Sequence, residues 1–349
     1  MPRVASVATA VPPYEYDQAY VKHQYAQLHR SNPHMLSALS ILDHSGVEHR
    51  YLCFPTEYYK AGHTFERRNR DYIEQALALG ERAIRTCLKH AQAKSEQINH
   101  IILVTTTGLA TPSLETMLIQ RIPLPLTIQR TPLFGVGCAG GAVGLARGME
   151  FLRGRGQDLV LLVSVELCGQ TFDPTDQSKL AIVAVSLFGD GAAAVLLAGD
   201  DHSFSGPRYI GSHSVLFPDS LDIMGWDFTD RGMRLVLSRR LPALVKRLLP
   251  EVIIGFLDEY GLRRDDIRYW IFHPGSAKVL DAIEHSLGLS DEKLVWSRRF
   301  LRQYGNLSSA SVLFILHDII RRGAPQPGDY GLIVAVGPGF SAELVLLRW

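Results

Sequence analysis

The feature that most constrains this chain is that its pattern repeats. The run Gly137-Cys138-Ala139-Gly140-Gly141-Ala142 is echoed by Gly305-Asn306-Leu307-Ser308-Ser309-Ala310, an offset of 168 residues. The same offset sets Tyr269-Trp270-Ile271-Phe272-His273 opposite Ile101-Ile102-Leu103-Val104-Thr105. Further along, Phe188-Gly189-Asp190-Gly191 and its apolar continuation resemble Gly337-Pro338-Gly339-Phe340 and theirs. Shared register over separate segments predicts a duplicated α/β unit, with halves 1-205 and 206-349. Equivalent positions of two such halves can meet at a central interface.

Within the first half, a short strand ending near Val136 feeds a helix whose first charge is Arg147. Cys138 stands where that helix begins. Unpaired N–H groups and the helix dipole favour an anion there and lower a thiol pKa by about a unit or more. The same cysteine also suits an inert, buried small hydrophobe. Four helix glycines, Gly140, Gly141, Gly144 and Gly148, cost roughly 1 kcal/mol each against alanine. Close packing against another backbone must offset that, so the helix is expected to be central.

Gly135-Val136-Gly137-Cys138-Ala139-Gly140 also satisfies the G-x-G-x-x-G dinucleotide fingerprint. The acidic residue about 20 positions on would be Asp158, which precedes the next strand rather than ending it, and Glu166 comes late. Nicotinamide binding is therefore disfavoured.

Helices are expected over roughly Asp17 to Leu28 and His34 to Leu42, then a loop through Pro55. A long amphipathic helix follows from about Thr64 to Ala91, with Tyr72, Ile73, Ala76, Leu77, Ile84 and Cys87 at helical spacing. A strand over His100 to Thr106 and a short helix near Met117 come next. The continuous apolar run from Asp158 to Glu166 reads as a strand covered on both faces, which implies buried parallel sheet.

A formal net charge of +1 argues against nucleic acid or an anionic membrane as partner. The run Ala181 to Gly199 is broken by Gly189-Asp190-Gly191, so no membrane span is expected. Four widely spaced cysteines (Cys53, Cys87, Cys138, Cys168) indicate neither disulfide framework nor zinc ribbon, and fit a reducing cytoplasm. The histidines show no H-E-x-x-H, and His44 with His49 is a weak pair, so no metal is expected.

His273 ends a strand with Pro274 behind it, which holds it extended at the carboxyl edge where α/β sites form. Singly, His273 and Asn306 also read as a satisfied core polar group and a helix cap. Under one duplication register with Cys138 they form a Cys-His-Asn constellation suited to thioester chemistry. A thiolate paired with an imidazolium would attack a carbonyl while His and Asn donors stabilise an enolate or oxyanion.

The series Gly137-Cys138-Ala139-Gly140-Gly141, Leu187-Phe188-Gly189-Asp190-Gly191-Ala192, His273-Pro274-Gly275, Gly305-Asn306-Leu307-Ser308-Ser309-Ala310 and Gly337-Pro338-Gly339-Phe340 resembles the type III polyketide synthases of the chalcone synthase-like family. The resemblance runs in order along nearly the whole chain. It implies a thiolase-like, duplicated αβαβα layered fold and a homodimer that takes malonyl-CoA and acyl-CoA as substrates without a bound cofactor. It makes Cys138 the carrier of the starter and growing chain, with His273 and Asn306 assisting loading and decarboxylation. Phe188 becomes a gatekeeper aromatic, Arg50 falls near the basic region for CoA phosphates, and Thr106, Thr171 and Ser308 are counted among substrate-binding positions.

Several positions depart from the plant-type pattern. The second gatekeeper phenylalanine is Leu235, a cavity glycine is Trp226, a cavity threonine is Cys168, and Thr111 replaces the methionine of the loop that reaches the partner subunit. Trp226 should block a bulky aromatic starter, whereas Leu235 and Thr111 open a different apolar route. These substitutions resemble bacterial members primed with long-chain fatty acyl-CoA, and so an alkylpyrone or alkylresorcinol synthase is expected. A malonyl-primed tetrahydroxynaphthalene synthase, a ketoacyl-ACP synthase III-like enzyme and a Cys-His-Asn thioester hydrolase are the alternatives.

Overall fold

A computed structural model describes all 349 residues. Strand β1 (Arg3–Ala10) precedes a two-stranded ribbon of β2 (Tyr14–Asp17) and β3 (His49–Leu52), whose connection carries helices α1 (Gln18–Leu28), α2 (Pro33–Ser37) and α3 (Ser40–Asp43). Helix α4 (Thr56–Lys60) leads into α5 (Phe65–Ala91). There follow β4 (His100–Val104), α6 (Leu114–Arg121), β5 (Gln129–Leu133), α7 (Gly140–Phe151), β6 (Leu159–Leu167), α8 (Lys179–Leu187) and β7 (Asp190–Ala198). The second half holds β8 (Arg208–Leu216), a hairpin of β9 (Met224–Thr229) and β10 (Gly232–Leu237), α9 (Leu241–Asp258), β11 (Ile267–Phe272), α10 (Ala277–Leu287), α11 (Asp291–Tyr304), α12 (Ser311–Arg322), β12 (Tyr330–Gly337) and β13 (Ser341–Arg348).

Nine strands form one sheet in the order β11-β12-β13-β8-β1-β7-β6-β4-β5. Its two arms repeat one pairing scheme. In the first, β1 runs antiparallel to β7, β7 antiparallel to β6, and β6 parallel to β4. In the second, β8, β13, β12 and β11 repeat those three relations in turn. The sheet is therefore mixed rather than parallel: β6 pairs in parallel on one side only. The seam between the arms is the single pair Arg3 and Arg208.

Alternation along the strands sets the layers. On β6, Val160 and Leu162 face the central core, while Leu159, Leu161, Val163 and Val165 face α5 and α6. On β12, Ile333 and Ala335 face the same central core, while Leu332, Val334 and Val336 face α9 and α10. Helices α7 and α12 share that central core, which completes the αβαβα order. Period-two burial on both faces is what a sheet sandwiched between helices requires.

Helix α7 fits there because its glycines take up no room. A Cβ on Gly141 would lie 2.2 Å from the Ser309 carbonyl oxygen, one on Gly144 2.5 Å from Leu162, and one on Gly148 2.5 Å from Leu197. The strand expected to end near Val136 stops at Leu133. A 3-10 turn, Gly137–Ala139, precedes α7, and Ser308–Ala310 precedes α12. The helices Gly140–Phe151 and Ser311–Arg322 are related by 171 residues, whereas the strand ends Val104 and Phe272 keep 168. Three extra residues lie between strand and helix in the second half, so the counterpart of Cys138 is Ser309, not Asn306.

Gly141→Ala should destabilise the protein by about 1–3 kcal/mol through backbone overpacking. Gly255→Ala, on α9 with open space around the added methyl, should stabilise it by about 0.5–1 kcal/mol. Urea unfolding midpoints with unchanged m-values check both.

Candidate active site

Cys138 occupies the middle of the 3-10 turn before α7. Gly137 has φ of +51°, and a Cβ there would lie 2.4 Å from Pro338, so the Gly337-Pro338-Gly339 turn of the second half packs directly on the nucleophile's turn. The Cys138 Sγ lies 3.6 Å from Ser308 Oγ. His273 follows β11 at once, its N–H donating to Val334 O at 2.8 Å and its carbonyl accepting from Gly275 N–H at 3.0 Å. The ring is buried, and neither Nδ1 nor Nε2 has a partner within the protein.

Asn306 is fixed by its own backbone. Its N–H donates to Leu187 O at 2.7 Å and its carbonyl accepts from Gly189 N–H at 3.2 Å, on either side of Phe188. Gly305 makes this approach possible: its φ is +71°, and a Cβ would meet Leu187 O at 2.4 Å. Asn306 Oδ1 accepts from Ser308 N–H at 2.8 Å, and Nδ2 donates one hydrogen to Gly275 O at 3.3 Å. Two hydrogen bonds therefore tie Asn306 to the turns bearing Ser308 and His273, while Ser308 touches Cys138. The other Nδ2 hydrogen is free for an incoming oxygen.

Burial dominates the protonation of the site. It pushes the Cys138 thiol up to about 11, with the Ser308 hydrogen bond opposing and Glu166 adding to the rise. The helix-start lowering expected from the sequence is thus overridden by desolvation. Burial also lowers His273 to about 4. Burial thus favours the neutral form of both groups over the thiolate–imidazolium pair expected from the sequence, and leaves an unpaired imidazole able to take up a proton.

Beneath them lies a carboxylate that sequence analysis weighed only as a ribose ligand. Glu166, fully buried at the end of β6, accepts from Thr106 N–H at 3.0 Å, Thr106 Oγ1 at 3.1 Å, Thr107 Oγ1 at 2.9 Å and Ser309 Oγ. Thr106 Oγ1 is 3.4 Å from Ser308 Oγ, which joins this network to Cys138. Burial raises Glu166 to about 7, against four hydrogen bonds that lower it. The one sequence signal was an acid closing a wholly apolar strand.

A cavity of about 520 Å³ reaches Phe188, the residue bracketed by the Asn306 backbone, while Cys138, His273 and Asn306 themselves do not line it. Phe188, Trp226, Leu235, Cys168 and Thr171 all line it. Phe188 and Trp226 rings stand 6.0 Å apart, and Leu235 pairs with Trp226 across the β9–β10 hairpin. Thr171 Oγ1 donates to Cys168 O at 2.7 Å. Beyond them the wall is made by Val21, Tyr25 and Leu28 of α1 and by Phe172, Leu180 and Ala184, an apolar extension that the sequence did not assign to the site.

One expectation needs correction. Arg50 is not a solvent-facing phosphate ligand. It is 2% exposed, and its guanidinium donates to the carbonyls of Val185, Ser186 and Phe188 and to Gln18 Oε1. Its charge is used to cap the end of α8 and fix Phe188. Thr111, expected on a loop that reaches a partner subunit, is exposed and lies outside this chain's own cavity.

A half-buried Cys138 with buried His273 and Asn306, set between duplicated halves of an αβαβα fold, is the arrangement of a thiolase-like acyltransferase. Residues 3–201 match the N-terminal domain of chalcone and stilbene synthases and residues 210–349 the C-terminal domain, so the chain belongs to that family and is a type III polyketide synthase. It is 40% identical to a 1,3,6,8-tetrahydroxynaphthalene synthase of Streptomyces peucetius, over 99% of this chain and 93% of that one. It is 38% identical to a Bacillus subtilis protein provisionally named a chalcone synthase, over 99% and 98%. The crystal structure of the Streptomyces coelicolor 1,3,6,8-tetrahydroxynaphthalene synthase superposes with a TM-score of 0.95 at 28% identity, covering 99% of both chains.

His273→Gln should slow iodoacetamide modification of Cys138 at pH 7 by roughly tenfold or more, since the proton acceptor is lost. Its effect on stability has a sign. As pH falls from 6.5 to about 4, the unfolded chain takes up a proton at His273 that the native state refuses, so native stability is lost through that window. The variant lacks this loss, and wild type's stability relative to it should fall by up to about 3 kcal/mol between pH 7 and 4 in urea titrations.

Proposed function

We propose that this synthase condenses a long-chain fatty acyl-CoA starter with malonyl-CoA and cyclises the product to an alkylpyrone or alkylresorcinol. Cys138 sulfur attacks the starter thioester, His273 takes the thiol proton, and CoA leaves with a proton as the acyl–Cys138 bond forms. Malonyl-CoA then loses carbon dioxide, and its enolate oxygen receives hydrogen bonds from His273 and the free Asn306 Nδ2–H. The enolate carbon attacks the acyl–Cys138 carbonyl, a carbon–carbon bond forms, and the Cys138 thiolate is released. Two or three such rounds precede ring closure. The chemistry calls on no cofactor.

The observation that carries the starter assignment is the apolar extension of the cavity past Trp226 and Cys168 to Val21, Tyr25 and Leu28. Trp226 narrows the space beside Phe188, which suits a slim alkyl chain better than an aromatic ring. The malonyl-primed naphthalene synthase remains the second reading, favoured by the similarity to relatives of that name. A homodimer is part of the same reading, with Thr111 on the exposed loop that would face the partner. No helix is long and apolar enough to cross a membrane, and four free cysteines suit the cytoplasm.

Product mass spectrometry with malonyl-CoA and a ladder of acyl-CoA starters tests the proposal, with Cys138→Ala as the inactive control. Specificity should climb about three- to fourfold per methylene, at about 0.8 kcal/mol each, until the cavity is full. A malonyl-only product indifferent to added starters would transfer the assignment to the naphthalene synthase. CoA release without condensation would instead indicate a hydrolase.

A further inference from the structure

The outer wall of the cavity belongs to neither arm of the main sheet. Two pieces of it are the segment from Phe172 to Ser178 and the β9–β10 hairpin, which no backbone hydrogen bond joins to each other. At the hairpin's turn, Arg231 reaches Thr175 Oγ1 and lies 3.9 Å from Asp173. Thr229 Oγ1 closes the turn from within, donating to Gly232 O at 3.0 Å and accepting from Arg231 N–H at 3.2 Å.

Arg68, on the first turn of α5, sits beneath both pieces. It is 6% exposed. Its Nη1 donates to Phe172 O and its Nη2 to Arg231 O, one carbonyl from each piece of the wall, while Nε has no partner. Gly232 lets the hairpin descend onto it: φ is +115°, and a Cβ would stand 2.8 Å from Arg68 Nη2 and 3.0 Å from Phe65. A buried guanidinium without a paired carboxylate is expensive to desolvate. A planar fork that spans two carbonyls uses geometry that lysine lacks.

We propose that Arg68 is a positioning residue for starter selection, acting as a clasp that holds the 172–178 segment and the hairpin at one separation and so places Trp226 and Leu235. The proposal rests on the starter reading given above. It makes Arg68 a determinant of which acyl chain fits, although Arg68 touches neither the chain nor the reacting atoms.

The test compares full-length wild type with Arg68→Met, Arg68→Lys and Gly232→Ala over the acyl-CoA ladder, with hydrogen exchange alongside. Arg68→Met should raise KM for the preferred starter roughly tenfold with kcat changed less than about threefold, and flatten the chain-length profile. Faster exchange should be confined to 172–178 and 224–237. Arg68→Lys should recover part of the KM. Gly232→Ala, which keeps Arg68 but lifts the hairpin, should flatten the profile likewise. An unchanged profile in Arg68→Met, or kcat lost equally for every starter, overturns the clasp. If Arg68→Met does not fold, an unchanged profile in Gly232→Ala overturns it. A wild type indifferent to chain length would defeat the starter reading alone, and the clasp would then stand or fall on the KM for malonyl-CoA as primer.

Discussion

The approach of α7 to the turn before α12 is the contact on which the rest depends. Gly141 lies against the Ser309 carbonyl with no space for a methyl group, so α7 meets the turn before α12 backbone to backbone at the interface of the halves. That closeness brings the 3-10 turns at both helix starts into one cluster. Cys138 and Ser308 touch because the helices behind them touch.

Carboxylates buried near this interface are held by hydroxyl and backbone N–H donors rather than by paired cations. Glu166 is held by hydroxyls and an amide, and Asp190 accepts from Cys53 N–H at 2.9 Å and Gly169 N–H at 2.7 Å. Burial still raises Asp190 to about 6. Arg50 and Arg68 solve the inverse problem with carbonyls. Asp190, Arg50 and Arg68 each fasten a loop beside the cavity to a strand or helix, and Glu166 ties the turn before α12 to β6, so satisfying these buried groups and shaping the site are one requirement.

Much of this was legible in the sequence because the signals were covalent or periodic. The apolar run gave β6, the long amphipathic pattern gave α5, and the glycine-rich helix pointed to a central, tightly packed element. The triad emerged from the repeat, although the repeat register misled in detail. Aligning Cys138 with Asn306 missed the three residues that displace Asn306 ahead of its turn, where Leu187 and Gly189 hold it. Arg50 was misplaced because a charge in a sequence carries no record of its neighbours, and the thiol was expected too acidic because desolvation is a property of the folded interior. Helix α1 and Arg68 join the cavity from far along the chain, with no local pattern to mark them.

The hairpin that carries Trp226 and Leu235 forms its own two-stranded sheet, outside the nine strands that support the triad. Reactivity and selectivity are thereby assigned to mechanically separate parts. Substitutions on the hairpin can redraw the cavity without disturbing the register of any strand that ends at a catalytic residue. Because Trp226 and Leu235 face each other as a cross-strand pair, however, the two cannot vary independently. A change at one alters the meaning of the residue at the other, and diversification of substrate range in this scaffold is expected to proceed by paired steps.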